Sequence, residues 1–332
     1  MKAVVFTLGC KVNEVESASI MSALEGLGWE VSDKLGSADI YVLNTCAVTR
    51  EAEKKSRQLI ARARKFSPSA PIYVCGCASQ KNAQQFSSRG VRFVCGTRDK
   101  EGIVAAVCSD FGGDCAARLP YPKQVRTRAF IKIEDGCNNF CSYCVIPYLR
   151  GRVTSRSIGD IVGEIAQTAA DEIVLTGINI SAYGSDSGTN LVELLAALKD
   201  CDKRIRFGSL ECNVIDERFL SACRSLKNFA PQFHLSLQSG SDAVLKAMNR
   251  HYTRAQYLEK CALIYKFFPE GAITTDIIVG FCGETDEDFA QSLSIIDEAR
   301  LARVHAFAFS PREGTAAYSM KDIPAPIKAE LR

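Results

Sequence analysis

The chain has 332 residues, 47% of them hydrophobic, which is enough for two ordinary domains or one large α/β unit with substantial cores. A formal net charge of +3 excludes an overall cationic field, and it neither requires nor excludes a nucleic-acid partner. No apolar run approaches about 18 residues, and the N-terminal MKAVVFTLGCK lacks the features of a signal peptide. We therefore predict a cytoplasmic protein without membrane association.

The cysteine content favours metal binding over a disulfide framework. Fifteen cysteines occur in a chain without a secretion signal, and a reducing compartment keeps thiols available as ligands. Cys108 and Cys115 have no spacing that indicates a partner, and we predict structural thiols there. The three histidines, His234, His251 and His305, do not fall at helical-turn spacing, which weakens any histidine-based zinc site or general base.

Residues 3 to about 112 repeat a pattern of strand, turn and helix. The segments VVFTL, IYVLN, IYVC and RFVC are predicted strands, and helical patterns such as REAEKKSRQLIARARKF follow them. This alternation predicts an α/β domain with a doubly wound parallel sheet. We assign residues 1–112 to this first domain and the residues 113–127, rich in Gly, Pro and polar side chains, to a linker.

Cysteines follow three successive predicted strands of this domain. Functional residues of such sheets gather beyond the carboxyl ends of the strands, where Cys10, Cys46 and the pair Cys75 and Cys77 occur. Each of them alone is explained slightly better as a small buried hydrophobic residue. Together they favour a three-cysteine site, although the period of an extended segment does not choose between Cys75 and Cys77.

A Cys-x3-Cys-x2-Cys run follows the next predicted strand, AFIKI. Buried apolar cysteines have no reason to fall at the positions of Cys137, Cys141 and Cys144 on a polar loop. Four thiolates would saturate a 4Fe–4S cube, whereas three leave one iron open for chemistry. The alternative is a structural zinc loop with a distant fourth ligand, although closed zinc sites usually use paired Cys-x2-Cys knuckles. The spacing favours an iron–sulfur cluster.

Strands and helices alternate again over residues 128–332. The predicted strands are AFIKI, EIVLTG, RIRFGSL, QFHLSLQS, AITTDIIVG and RVHAFAFS. Six such βα units predict a partial (β/α)6 barrel whose site lies at the carboxyl ends of the strands. Glycines and polar side chains at those ends are candidates for holding a cofactor, although ordinary turn chemistry also explains them. These candidates are Thr176, Gly177, Asn179, Glu211, Gln238 and Asp276.

Three arginines follow the cysteine loop. Arg150, Arg152 and Arg156 are candidates for binding a phosphate or a carboxylate of the substrate bidentately. A solvated basic loop is the alternative interpretation.

The cysteine loop, with Tyr143 before its last cysteine, resembles that of the radical S-adenosylmethionine (SAM) enzymes. The phrase GCNNFCSYCVIPYLRGRVTSR is similar to one branch of them, the methylthiotransferases. In that superfamily the open iron binds the amino and carboxylate groups of SAM, and one electron cleaves SAM to a 5'-deoxyadenosyl radical. The resemblance implies a radical SAM barrel whose cluster is held by Cys137, Cys141 and Cys144, and it adds Tyr143 to the cofactor-binding candidates.

Three phrases of the first domain resemble the cluster-binding phrases of the methylthiotransferase N-terminal domain. They are TLGCKVN, VLNTCAVT and GCASQ, and they carry the ligands over to Cys10, Cys46 and Cys77. The resemblance implies an auxiliary 4Fe–4S cluster that carries the sulfur to be transferred. The sequence departs from the family pattern in two places. Cys282 replaces the proline of the family phrase GFPGET. The C-terminal RNA-binding β-barrel that the resemblance leads us to expect is absent from this chain.

The phrases GCKVN and NTCAVT are similar to the branch that acts on N6-threonylcarbamoyladenosine in tRNA. The resemblance implies methylthio transfer to its C2 carbon at position 37, with partners that include the tRNA anticodon loop, a sulfur donor and an electron donor such as flavodoxin or ferredoxin. The alternatives are the same chemistry on isopentenyl-adenosine tRNA or on an aspartate of a ribosomal protein. Alternatives of another class are a non-catalytic iron–sulfur redox module and a zinc-binding structural protein.

Overall fold

The chain divides into two units, each built around parallel β-strands. The computed structural model describes residues 1–115, 117–124 and 127–331. Unit 1 comprises Met1–Val125 with Tyr148–Arg150, and unit 2 comprises Arg126–Pro147 with Gly151–Arg332. Residues 116, 125 and 126 of the predicted linker, and residue 332 of the predicted second domain, lie outside the described residues.

Unit 1 contains a five-stranded parallel sheet of order β2-β1-β3-β4-β5. This is the strand order of a doubly wound sheet, and the predicted fold class is confirmed. Its elements are β1 (Lys2–Thr7), α1 (Lys11–Gly26), β2 (Glu30–Ser32), β3 (Ile40–Thr45), α2 (Arg50–Phe66), β4 (Ile72–Gly76), α3 (Cys77–Lys81), α4 (Ala83–Ser87), β5 (Phe93–Val94) and α5 (Glu101–Phe111).

The central strands β3 and β4 are buried along their whole length, because helices cover both faces of the sheet. The helix α2 begins at the cap residue Thr49, whose side chain accepts a hydrogen bond from the Ala52 amide, and it buries Leu59, Ile60 and Ala63. The edge strand β2 was not predicted, because the three residues EVS show neither the length nor the apolar alternation of a strand.

A disulfide joins Cys108 to Cys115, with 6.4 Å between their Cα atoms. The sequence analysis left both cysteines as structural and did not predict that they pair with each other. The helix α5 ends at Phe111, and Gly112 and Gly113 take positive φ angles and turn the chain back toward the helix. Two cysteines on either side of such a turn come within bonding reach.

Unit 2 is a partial barrel of parallel strands, as predicted. The strands run in the orders β6-β9-β10 and β11-β12-β13-β14, and Gly208 alone separates β10 from β11. Along β13 every second residue is buried, and Ile273, Ile277 and Val279 belong to the core cluster that also contains the helix residues Ile264 and Ile295. This face of the strand therefore packs against the surrounding helices. Within the described ranges, no helix combines the length and the apolar character that are needed to cross a bilayer.

The strands from residue 128 onward are β6 (Arg128–Lys132), β7 (Glu134–Asp135), β8 (Thr154–Ser155), β9 (Glu172–Thr176), β10 (Arg204–Phe207), β11 (Ser209–Leu210), β12 (Gln232–Leu235), β13 (Ala272–Val279) and β14 (Arg303–Ala308). The helices are α6 (Ile146–Arg150), α7 (Ile158–Gln167), α8 (Leu191–Ala197), α9 (Glu217–Ser225), α10 (Asp242–Ala247), α11 (Arg254–Phe267), α12 (Asp286–Glu298) and α13 (Ala325–Glu330). The short antiparallel pair β7 and β8, which flanks the cysteine loop, was not predicted.

Candidate functional site

Three thiols of unit 1 lie where parallel strands end at one edge of the sheet. Cys10 follows β1, Cys46 follows β3 directly, and Cys77 begins α3 after β4. Their side chains interact electrostatically, and burial raises the pKa of Cys46 and raises that of Cys77 to about 11. Cys75 lies inside β4, fully buried, and contacts Cys95. Cys77 therefore lies beside Cys10 and Cys46, whereas Cys75 lies beside Cys95, and the choice of ligand stays a prediction.

Glycines before two of these cysteines let the strand ends come close together. Gly9 has a φ angle of +121°, and a Cβ atom built there would lie 3.3 Å from the Cys46 sulfur. Gly76 has a φ angle of +104°, and its Cβ atom would collide with the Thr45 carbonyl oxygen. Glycine adopts these angles without strain. The glycines directly before Cys10 and Cys77 therefore allow the backbone conformation that places these two thiols at the strand ends.

Arg150 is buried beside the thiols of unit 1, with an exposed fraction of 1%. Its Nη1 donates to Glu16 Oε1 at 2.9 Å, and its Nη2 donates to Asn13 Oδ1 at 2.6 Å. Lys100 Nζ lies 3.5 Å from the other oxygen of Glu16. The positive charge of Arg150 partly offsets the rise that burial causes in the pKa of Cys77. The burial of Arg150 and its ion pair favour a structural role over the predicted contact with substrate. They also argue against the alternative interpretation of Arg150 as part of a solvated loop.

The loop with Cys137, Cys141 and Cys144 runs between β7 and α6 in unit 2. The three cysteines line one cavity of about 150 Å³. Burial raises the pKa of Cys137 and raises that of Cys144 to about 12. Two N–H donors reach sulfur atoms of the loop, because Arg250 Nη1 lies 3.2 Å from Cys141 Sγ and Asn179 Nδ2 lies 3.8 Å from Cys137 Sγ.

The segment that follows α10 holds the cysteine loop in shape. The Ser142 amide donates to the Met248 carbonyl at 3.0 Å. Asn249 Nδ2 donates to the carbonyl oxygens of Asn139 and Phe140 at 3.2 and 3.1 Å. Phe140 has a φ angle of +49°, so these bonds stabilise a backbone conformation that is uncommon outside glycine. The sequence analysis did not predict these contacts.

Four of the predicted cofactor-binding residues line the same cavity as the cysteines. Glu211 accepts a hydrogen bond from Asn139 Nδ2 at 2.6 Å and pairs with Arg250 Nη2 at 2.9 Å. Gln238 has a φ angle of +73°, a strained conformation of the kind found at functional sites. The four lining residues are Tyr143, Asn179, Glu211 and Gln238.

Three other candidates are not among the described residues that line this cavity. Asp276 lies inside β13, because the apolar residues after it extend the strand. Its Oδ2 lies 3.3 Å from His234 Nε2. Its predicted position at a strand end was wrong. Thr176 ends β9 as expected, and Gly177 follows it, where a Cβ atom would collide with the carboxylate of Glu134.

The sequence analysis missed Glu134, which follows β6 and is 1% exposed. Its Oε1 accepts a hydrogen bond from the Asn179 amide at 2.5 Å, and its Oε2 has no hydrogen-bond partner among the described residues. Burial raises the pKa of Glu134 to about 8. The sequence feature that could have identified Glu134 is its position, directly after the apolar segment AFIKI and three residues before Cys137.

The two remaining arginine candidates have partners within unit 2. Arg156 Nε lies 2.6 Å from Asp160 Oδ2, and its Nη1 lies 2.5 Å from Glu164 Oε2. The Arg152 guanidinium lies 4.7 Å from the centre of the Phe140 ring. These contacts favour structural roles, and the predicted contacts with a substrate stay predictions.

Known proteins resemble this chain along nearly its whole length. Residues 2–96 match the family described as "Uncharacterized protein family UPF0004", and residues 131–296 match the radical SAM superfamily. Threonylcarbamoyladenosine tRNA methylthiotransferase MtaB of Thermotoga maritima is 37% identical over 98% of this chain and 78% of that protein. The tRNA-2-methylthio-N(6)-dimethylallyladenosine synthase of Fervidobacterium nodosum is 36% identical over 99% of this chain and 80% of that protein. The chain belongs to the radical SAM methylthiotransferase family.

The fold of this methylthiotransferase is shared with more distant radical SAM enzymes. The methyltransferase TsrM of Kitasatospora setae superposes with a TM-score of 0.67 at 14% identity, over 96% of this chain and 74% of that one. Radical SAM enzymes use SAM and a 4Fe–4S cluster, and methylthiotransferases carry an additional cluster. The cofactors predicted from the sequence are therefore those of the family.

The hydrogen bonds to the cysteine loop of this methylthiotransferase suit cluster ligands. Asn179 Nδ2 and Arg250 Nη1 donate to the Cys137 and Cys141 sulfur atoms, and such hydrogen bonds tune clusters. Within residues 1–115, 117–124 and 127–331, no group of three or more His, Cys, Asp and Glu side chains is arranged to hold one metal ion.

A second cavity of about 480 Å³ adjoins the first in unit 2 of the methylthiotransferase. The two cavities share Asn139, Asn179 and Glu211. The second one also contains Asn213 and the exposed Arg218, from the turn and the helix that follow β11. The lining combines these amide, carboxylate and guanidinium groups with apolar side chains such as Val214 and Phe219, which suits a ligand with both polar and apolar parts.

Proposed function

We propose that this methylthiotransferase adds a methylthio group to the C2 carbon of N6-threonylcarbamoyladenosine at position 37 of tRNA. The observation that carries the proposal is the 37% identity to the MtaB enzyme of Thermotoga maritima over 98% of the chain, together with GCKVN and NTCAVT at the first two cysteines. MtaB of Bacillus subtilis is also 37% identical. A relative named for dimethylallyladenosine is 36% identical, so overall identity alone does not choose the substrate.

The polar groups of the second cavity suit a threonylcarbamoyl group, and they stand beside apolar side chains such as Val192, Val214 and Phe219. A threonylcarbamoyl group carries a carboxylate, a hydroxyl and a urea, whereas an isopentenyl group is a hydrocarbon. Arg218 supplies a cation for a carboxylate, and Asn213 and Asn139 supply amides.

We assign the two sets of three thiols to two 4Fe–4S clusters. In this assignment Cys137, Cys141 and Cys144 hold the cluster that passes an electron to SAM, and an auxiliary cluster holds the sulfur to be transferred. The auxiliary ligands are Cys10, Cys46 and Cys77. The side chains at the first cavity that would contact SAM are Tyr143, Asn179, Glu211 and Gln238. The tRNA anticodon loop, a sulfur donor and a one-electron donor complete the proposed partners.

The choice of substrate is tested by offering three matched tRNAs to the reconstituted enzyme with SAM and a reductant. The tRNAs carry N6-threonylcarbamoyladenosine, isopentenyl-adenosine or unmodified adenosine at the same position, and mass spectrometry of the digested nucleosides measures the product. We expect the first tRNA to be preferred at least about 100-fold, because a site built for polar groups rejects analogues that lack them. Cys141→Ala serves as the inactive control. Equal or faster reaction of the isopentenyl tRNA would contradict the proposal.

A further inference from the structure

Arg250 lies against a sulfur atom of the cysteine loop, 109 residues away in the sequence. Its Nη1 donates to Cys141 Sγ at 3.2 Å, and its Nε donates to the Tyr252 hydroxyl at 3.0 Å. Its Nη2 lies 2.9 Å from Glu211 Oε1, and its side chain is 5% exposed. The guanidinium group is therefore held on three sides, with one N–H directed at a proposed cluster ligand.

The two residues that contact the Arg250 guanidinium, Tyr252 and Glu211, have further hydrogen bonds of their own. The Tyr252 hydroxyl lies 2.7 Å from both the Ser236 and the Leu237 carbonyl oxygens, which share its single proton. Glu211 accepts a hydrogen bond from Asn139, which lies inside the cysteine loop. A buried arginine is costly to desolvate. The ion pair with the Glu211 carboxylate uses Nη2 and does not require that Nη1 face the Cys141 sulfur atom. The orientation of Arg250 therefore indicates a role toward the thiolate.

A hydrogen bond from a cation to a ligand sulfur has a definite electrostatic consequence. Reduction adds one electron to a cluster, and the added negative charge spreads onto its thiolate ligands. A guanidinium at 3.2 Å stabilises that charge more in the reduced form than in the oxidised form. The carboxylate of Glu211 acts in the opposite sense, and its charge already affects Cys137.

We propose that Arg250 is a positioning residue that raises the reduction potential of the cluster held by Cys137, Cys141 and Cys144, and that Glu211 orients Arg250 while opposing it. This inference rests on the ligand assignment of the proposed function. The reaction concerned is the transfer of one electron from an external one-electron donor to the cluster. No bond forms or breaks in that step.

The test is a redox titration with dithionite of the reconstituted full-length chain, without SAM or tRNA, followed by electron paramagnetic resonance. The variant Cys137→Ala, Cys141→Ala, Cys144→Ala gives the auxiliary spectrum for subtraction. We expect Arg250→Gln to lower the ratio of reduced to oxidised cluster at fixed potential at least tenfold, which is about 59 mV for a one-electron couple. Arg250→Lys, which keeps the charge, should recover at least half of that shift.

Two further variants separate this role from a structural one. Glu211→Gln is expected to shift the ratio at least threefold in the opposite direction, because it removes a negative charge. Arg152→Gln removes a charge that lies 4.7 Å from the centre of the Phe140 ring, and it should change the ratio less than twofold. An unchanged or raised potential in Arg250→Gln contradicts the proposal. If Arg250→Gln loses iron, the Glu211→Gln result decides, and the absence of an upward shift overturns the proposal.

Failure of the proposed role of Arg250 is distinguishable from failure of the proposed function. A parent chain whose spectrum is the same as that of the Cys137→Ala, Cys141→Ala, Cys144→Ala variant would overturn the ligand assignment itself. A normal cluster whose potential ignores Arg250 would overturn only the present inference, and the choice of tRNA substrate would be unaffected.

Discussion

Replacement of Cys10, Cys46 and Cys77 together by alanine is expected to abolish methylthio transfer while reductive cleavage of SAM continues. In the proposed assignment these thiols hold the cluster that carries the sulfur, and the radical forms at the other cluster. Loss of partners outside the ligand set of a metal site typically costs about 10–100-fold in activity, so loss of the ligands should cost at least about 100-fold. Mass spectrometry measures both products, 5'-deoxyadenosine and the methylthiolated nucleoside.

Cys75→Ala is the matched control for this triple variant. Cys75 lies two residues before Cys77 and is fully buried, but its side chain contacts Cys95. We expect the control to retain methylthio transfer within about threefold of the parent chain, because a small cavity in β4 removes no ligand. Retained transfer in the triple variant, or an equal loss in Cys75→Ala, would contradict the assignment of the auxiliary ligands.

Arg150→Met is expected to lower the free energy of unfolding of unit 1 by about 3–5 kcal/mol, the usual cost of removing one partner of a buried ion pair. Glu16 is 6% exposed, and Arg150 supplies its nearest cation at 2.9 Å, with Lys100 at 3.5 Å. Methionine fills much of the volume but leaves the Glu16 carboxylate and the Asn13 amide oxygen without the guanidinium.

The measurement is urea unfolding followed by tryptophan fluorescence. Trp29 is the single tryptophan of the chain, and it lies buried in the core of unit 1, so its signal reports on that unit. Arg57→Met is the control, because the pair of Arg57 with Glu53 is partly exposed at helical i,i+4 spacing and should contribute about 0.3–0.5 kcal/mol. A loss below about 1 kcal/mol in Arg150→Met would contradict the structural role assigned to this arginine.

The sequence was sufficient for the fold class because the signals of that class are local. Apolar segments of strand length alternate with helical patterns in both units, and parallel topology follows from that alternation. The short elements were missed for the same reason. The strand β2 and the pair β7 and β8 have only two or three residues each, too few to establish a period.

The surroundings of the thiols depend on contacts that no local pattern contains. Arg150 meets Glu16 across 134 positions of the sequence, and Arg250 meets Cys141 across 109. The strand-end rule found Glu211 and Gln238, but it misplaced Asp276, because the apolar residues that follow Asp276 continue the strand. Which arginines are buried against carboxylates is decided by tertiary packing, and the spacing of Arg150, Arg152 and Arg156 after the cysteine loop carried no such information.

The central claim is that each unit holds its own 4Fe–4S cluster, and the most direct test is the iron and sulfide content after anaerobic reconstitution. The parent chain is compared with the variant Cys137→Ala, Cys141→Ala, Cys144→Ala. We expect about eight irons in the parent and about four in the variant, at four irons per cube. A parent chain with four irons or fewer, together with a variant that holds none, would show that the thiols of unit 1 are structural and would contradict the claim.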